Sequence, residues 1–407
     1  MRVLFASAGG ASHVYPMVPL GDALAGRGHE VAIAVPEAHA GAVEQLGWPR
    51  FDLPPAEGNL AATPAATPAA TPAATFRART PQQERARASV GGYLAQAAGQ
   101  ASALRDAARD WGADVLVRET AAWSGWLAGE LLGLPVAVVD YAPTPPRLLV
   151  AMMGDLFGEA RRRAGLPPDP PLGSLEPGLH LLAGPPGWFP PRAFGPTSHL
   201  FRPELVPAGG SQPAALARVG PERPLAYITF GTMFDRTPGI FELAFDAVRG
   251  QADAIATVGP HGAAAVAVPG EGVVVERFLP REAEAAILDR ADAVVCHAGY
   301  GTLMGALGRG VPVVSIPLAG ADNAERAARI EALGVGVVVR EHERSVGAVR
   351  DGLARVLGDP RFRAAARRLA ASLDGQPPLA EAAPLVERLV AGRQPIPREE
   401  ERAGTGG

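Results

Sequence analysis

Along this chain, short apolar runs alternate with longer stretches whose apolar positions recur every three or four residues. The runs predict strands buried on both faces, the longer stretches predict helices that cover them, and regular alternation of the two predicts parallel α/β sheets. In the first half, strands are expected near residues 2–8, 30–35, 114–119 and 135–140, with a weaker one near 180–183. The intervening helices fall near 16–27, 38–46, 84–110, 121–132 and 146–164. In the second half, strands are expected near 225–230, 253–258, 273–276, 292–296, 312–316 and 336–339. Residues 203–224 carry Gly209-Gly210 and several prolines, a linker composition that divides the halves. The expected architecture is two doubly wound, Rossmann-like domains, 1–202 and 225–378, facing each other across a cleft. Ligands would bind there, at the carboxyl ends of the strands.

Composition narrows this picture. A chain of 407 residues is long for one core and suits two domains of about 200 residues each. A net charge of −4 gives no basic footprint, so nucleic acid is not an expected partner, and no apolar run of about 18 residues suggests a membrane span. The N-terminus enters a buried-strand pattern directly, without the features of a signal peptide, so the cytoplasm is expected. The single Cys296 cannot form an internal disulfide and reads as a small core residue. Lysine is absent, which removes a P-loop lysine and a pyridoxal Schiff base from consideration. Residues 61–75 repeat Ala-Ala-Thr-Pro, and proline at every fourth position forbids a continuous helix there.

The stretch around His297 carries the most chemistry. A strand ends in His297-Ala298-Gly299-Tyr300-Gly301-Thr302, and a helix is expected to follow at once. Small residues at such a turn let backbone approach a ligand, and the helix N-terminus offers N–H groups and a positive dipole end. That combination cradles a diphosphate. Asp322-Asn323, past the next strand, offers groups suited to sugar hydroxyls, or to capping the helix that begins near Ala324. A phosphate grip beside a polyol grip points to a nucleotide-sugar.

These residues resemble the donor-binding signature of inverting glycosyltransferases of the GT-B fold. The resemblance is closest to the actinomycete enzymes that glycosylate antibiotics and other natural products, relatives of the UDP-glucuronosyl and glucosyltransferases. The motifs are Phe278-Leu279-Pro280, His297 to Thr302, Gly310-Val311-Pro312, and Pro317 through Asp322-Asn323. A second match runs from Gly10 through His13 to Pro16, and on to Arg27-Gly28-His29-Glu30-Val31. Together they bracket most of the chain. The resemblance implies that Gly231 and Thr232 touch the phosphates, that Phe278, where relatives often have tryptophan, lies under the base, and that Leu279 belongs to the donor site; a phenylalanine at a strand end also reads as core. It implies that His297, Gly299, Gly301 and Thr302 hold the diphosphate and that Asp322 and Asn323 meet the sugar. Relatives show Asp-Gln at that pair, so the shorter Asn323 suggests an altered sugar such as a deoxysugar. TDP is favoured over UDP by the same analogy, and a helix near 379–392 would return to the first domain. An accessory activator or a homodimer stays open.

Catalysis needs a base for the acceptor hydroxyl. His13 follows the first strand at its carboxyl edge, where an imidazole titrating near neutrality suits the role. The strand 114–119 ends at the same edge in Glu119, a carboxylate able to orient that imidazole. Relatives have aspartate there, one methylene shorter; the other readings of Glu119 are a solvated strand end or an ion pair with Arg118. Asp114 starts the strand and belongs to the wrong end. His29 reads as structural, Trp123 and Trp126 read as packing, and His39, His180, His199, His261 and His342 have no partner legible in sequence. No Asp-x-Asp occurs, so no metal is expected to bridge the diphosphate. The competing readings are a catalytically silent auxiliary protein, a nucleotide-sugar epimerase, and a dinucleotide oxidoreductase suggested by Gly299-Tyr300-Gly301 and Asp322.

Overall fold

The computed structural model describes residues 1–55, 81–142, 146–169, 172–209, 212–231, 237–259, 272–318 and 321–398. The Ala-Ala-Thr-Pro repeat, Thr232 and His261 lie outside them. The chain forms two compact units. One comprises Met1–Gly184, Phe189–Pro203 and Pro377–Gly407, the other Pro185–Trp188 and Glu204–Gln376.

The first unit is built on seven parallel strands: β1 (Arg2–Ala6), β2 (Glu30–Pro36), β3 (Arg50–Leu53), β4 (Val115–Glu119), β5 (Val136–Asp140), β6 (Leu179–Ala183) and β7 (Ser198–Phe201). They lie in the order β3-β2-β1-β4-β5-β6-β7. β1 therefore pairs with β2 on one side and β4 on the other, with Ala6 opposite Arg118. The direction of winding reverses at this pair, which opens a crevice at the carboxyl ends of β1 and β4. The apolar sequences of β1 and β4 are buried on both faces, which explains why they read as continuous hydrophobic runs. Val3, Phe5, Val115 and Val117 face a core that also takes in Leu379, Val386 and Leu389 from the C-terminal segment. Arg27 and His29 both bind Glu387 on the helix Ala383–Gly392, at 2.7 and 2.8 Å, so the Arg-Gly-His-Glu turn anchors that helix.

The second unit repeats the design with six parallel strands: β8 (Leu225–Thr229), β9 (Asp253–Thr257), β10 (Val273–Glu276), β11 (Ala293–Cys296), β12 (Val313–Ser315) and β13 (Gly336–Val338). Their order is β10-β9-β8-β11-β12-β13, so the winding reverses between β8 and β11, where Thr229 stands opposite Cys296. Among the described residues, no helix is long and apolar enough to cross a membrane.

Three sequence expectations need correction. β3 and β7 were not expected; they are the two edge strands of the first sheet, each with only partial burial and therefore no continuous apolar run. The helix expected near 38–46 is two short 3₁₀ turns, Glu37–Ala42 and Glu44–Leu46. His180, which sequence left without a partner, is buried between Asp140 at 3.1 Å and Ser198 at 2.9 Å.

Candidate active site

In the first unit, β1 runs into a turn at Ser7–Gly10, and His13 follows on the short helix Ala11–Val14. A Cβ at Gly9 would stand 2.7 Å from His13 Cδ2, so the imidazole rests directly on glycine backbone. Glu119 closes β4 on the neighbouring strand. His13 Nδ1 lies 3.1 Å from Glu119 Oε1.

The Glu119 carboxylate is fully buried and receives donors on both oxygens. Oε1 accepts from His13 Nδ1 and from Ala8 N at 3.0 Å; Oε2 accepts from Ala121 N at 2.6 Å and Tyr141 Oη at 2.8 Å. A carboxylate has about four acceptor positions, so all are engaged. Burial pushes this carboxyl up, yet the charge on His13 and the hydrogen bonds from His13, Ala121 and Ala8 outweigh it, and the group rests below its ordinary value. The His13 side chain keeps 16% exposure, enough for a substrate to reach the ring.

The alternatives for this corner resolve clearly. Arg118 turns away from the Glu119 carboxylate, donates to the carbonyls of Glu119 and Thr120 at 3.1 Å, and lies 4.5 Å from the Trp123 ring centre. Burial lowers its pKa to about 10, so it remains a cation. Asp114 accepts from the backbone of Arg2 at the opposite end of the sheet. Trp123 and Trp126 are buried edge-on against Phe157 and form packing. Sequence reasoning missed Tyr141 and His39. Tyr141 follows β5 at the edge where Glu119 ends β4, and that shared position was the signal available. His39 follows β2 at the same edge; burial first, then the charge on His13, lowers its pKa.

In the second unit, Gly231 follows β8 by two residues, and His297-Ala298-Gly299 links the end of β11 to the helix Tyr300–Leu307. The His297 imidazole lies between two glycines. A Cβ would stand 2.9 Å from its Cε1 at Gly231 and 2.6 Å at Gly299. Gly231 also adopts a left-handed φ of +70°. The helix starts at Gly299 without a side-chain cap, Gly301 is exposed and Thr302 is half-buried. A helix N-terminus whose N-cap residue supplies no capping side chain is the arrangement that receives anions.

Arg326 was not anticipated either. Its Nε donates to the carbonyl of Ala298 at 2.7 Å and its Nη2 to Asn323 Oδ1 at 2.8 Å. Ala298 has a left-handed φ of +68°, uncommon for a residue with a side chain, and this guanidinium helps hold it. Asn323 is 2% exposed, and its side-chain oxygen accepts from Arg326. Asp322 belongs to the helix Ala321–Leu333, with its side chain outside the described residues. Phe278 is 66% exposed just beyond β10, which places it on the surface and not in the core; Leu279 beside it is half-buried. Cys296 is buried, and burial pushes its thiol up to about 11. Among the described residues, no group of three or more His, Cys, Asp or Glu converges as a metal site.

Comparison with known proteins follows the same lines. Residues 246–389 match the family described as Erythromycin biosynthesis protein CIII-like, C-terminal domain. The chain is 30% identical to 4'-demethylrebeccamycin synthase of Lentzea aerocolonigenes, over 96% of this chain and 99% of that one. It is 34% identical to aklavinone 7-beta-L-rhodosaminyltransferase of Streptomyces galilaeus, over 53% and 49% of the two chains. Among solved structures, a Streptomyces sp. SF2575 glycosyltransferase in complex with thymidine diphosphate superposes with a TM-score of 0.71 at 25% identity, covering 95% of this chain and 99% of that one.

Proposed function

The chain belongs to the actinomycete natural-product glycosyltransferases of the GT-B fold, and on that premise we propose that it moves a deoxysugar from a TDP-sugar to a hydroxyl of a natural-product aglycone, with inversion and with His13 as the base. The observation that carries the reading is the His13–Glu119 pair, 3.1 Å apart at the point where the first sheet reverses its winding.

In this reaction the acceptor O–H gives its proton to His13 Nε2 while its oxygen bonds to the anomeric carbon. The bond from that carbon to the diphosphate oxygen breaks, and the electron pair leaves with the diphosphate. Glu119 keeps the imidazole oriented and steadies the imidazolium. The growing charge on the leaving group is met by His297 and the N-terminus of the helix Tyr300–Leu307. Phe278 offers its exposed ring to the base. The sugar-nucleotide preference is supported by the thymidine diphosphate named in the solved relative and by a Streptomyces peucetius relative named TDP-daunosamine transferase. Transfer proceeds without a metal on this reading, and an enzyme that lost activity in EDTA and regained it with magnesium would contradict it. The alternatives of a silent auxiliary protein and an epimerase are not favoured by these relatives.

The test pairs two variants with thermal stabilisation by TDP and UDP. TDP should raise the melting temperature of the wild type and of His13→Ala, but not of His297→Ala. His13→Ala should lose transfer about 10²- to 10⁴-fold. Transfer at the wild-type rate by His13→Ala would refute the assignment of the base.

A further inference from the structure

The Glu119 carboxylate is one of two groups that meet at His13 Nδ1, and the other has no role in the reaction as described so far. Tyr141 Oη lies 2.8 Å from Glu119 Oε2 and 3.2 Å from His13 Nδ1. Its ring stands edge-on to the imidazole, at 82° with centroids 6.3 Å apart. A phenol carries one proton. Glu119 is ionised and has only lone pairs to offer, so that proton goes to the carboxylate, and toward His13 the phenolic oxygen can only accept. Two acceptors, Glu119 Oε1 and Tyr141 Oη, therefore converge on Nδ1.

We propose that Tyr141 is a positioning residue that fixes both the Glu119 carboxylate and the Nδ1–H tautomer of His13, so that Nε2 is the nitrogen presented to the acceptor. The proposal rests on the reading of His13 as base. Two acceptors on Nδ1 penalise the other tautomer twice, because it would set a lone pair against each of them. Tyr141 is itself held. Its backbone N–H donates to Thr120 Oγ1 at 3.1 Å, and that hydroxyl donates to Asp140 Oδ1 at 2.9 Å. Asp140 Oδ2 in turn meets His180 Nε2 at 3.1 Å. The carboxyl ends of β4 and β5 are thus tied to each other and to His180 on β6. Networks of this kind fix orientation more firmly than isolated pairs do.

The arrangement also accounts for glutamate at position 119. The longer side chain lets both oxygens reach separate donor pairs, Ala8 with His13 and Ala121 with Tyr141. Tyr141 takes one side of the carboxylate and leaves the other aimed at Nδ1.

The experiment reads the ring nitrogens of His13 directly. Imidazole ¹⁵N shifts of the full chain at about pH 9, where histidine is neutral, are assigned to His13 by comparison with His13→Gln. The wild type should show the Nδ1–H form almost alone. In Tyr141→Phe the Nε2–H form should rise to roughly a quarter or more of the population. The His180 signals should be unchanged, which reports that the first unit is folded. Thr120→Val removes the hydroxyl that anchors the Tyr141 backbone; as a second variant it should shift His13 in the same direction, by less. An unchanged His13 tautomer in both variants would overturn the proposal, as would an Nε2–H wild type. Loss of transfer in His13→Ala is a separate reading, so failure of the base assignment and failure of the Tyr141 proposal are told apart.

Discussion

The His297 imidazole lies so close to Gly299 that a methyl group there would sit 2.6 Å from its Cε1 and Nε2. The contact is independent of backbone strain, because Gly299 has an ordinary φ of −63°. It is the missing side chain, and not an unusual turn, that makes room for the ring.

Gly299→Ala should therefore displace His297 without unfolding the unit. TDP affinity is expected to fall about tenfold, while the urea midpoint changes little. Isothermal titration with TDP checks the first point and chemical denaturation the second. Wild-type affinity for TDP in Gly299→Ala would separate His297 from the diphosphate.

Glu119→Asp, which restores the residue type of the relatives, should be harmful here. A shorter carboxylate cannot reach the donor pairs on both sides, and each buried donor left without an acceptor costs about 1–3 kcal/mol. The melting temperature should drop, and transfer should fall by about tenfold or more. An aspartate variant as stable and active as the wild type would mean that the four-donor arrangement around Glu119 is dispensable.

Glu387 makes a pH-sensitive attachment for the C-terminal helix. Hydrogen bonds from Arg27 and then His29 lower its pKa from 4.5 to about 2. A carboxylate depressed in the folded state stabilises fully above its unfolded pKa, and that contribution is lost as pH falls through the folded value. Stability should thus decline between about pH 4.5 and 2 in the wild type. Glu387→Gln should be less stable at pH 7 and show a shallower decline over that window, measured by urea unfolding at each pH. Parallel acid profiles for the two proteins would show that the attachment contributes nothing.

Cys296 should be inert to thiol reagents in the native protein. It is fully buried at the end of β11, and its thiol is pushed up to about 11 by burial. A thiolate is the reacting species, so modification by a disulfide reagent should wait for unfolding. Rapid labelling of the native chain would mean that the β11 edge opens readily.

Much of the fold could be read from the pattern of apolar runs. The interior strands β1, β4, β8 and β11 are buried on both faces, so their sequences are continuous apolar segments. Edge strands such as β3 and β7 are half exposed and give no such signal. His13, Glu119, Gly231 and His297 were legible because each ends or follows an interior strand, and in doubly wound sheets chemistry collects at those carboxyl ends. Phe278 could be read either as core or as surface, and only its exposure decided it.

Contacts between distant segments were not legible. Glu119 and Tyr141 are 22 residues apart, and Arg326 is 28 residues from Ala298. Neither pair leaves a local pattern, because hydrogen bonds between side chains on separate strands and helices have no period along the chain. Sequence by itself determined which residue types stand at the carboxyl edges of the two sheets, since burial of the strands dictates their spacing. Only the tertiary structure decided how those residues are held: that Glu119 takes four donors, that Tyr141 joins His13, and that Asn323 serves Arg326. The physical reason is that strand order, and not distance along the chain, sets which edges become neighbours.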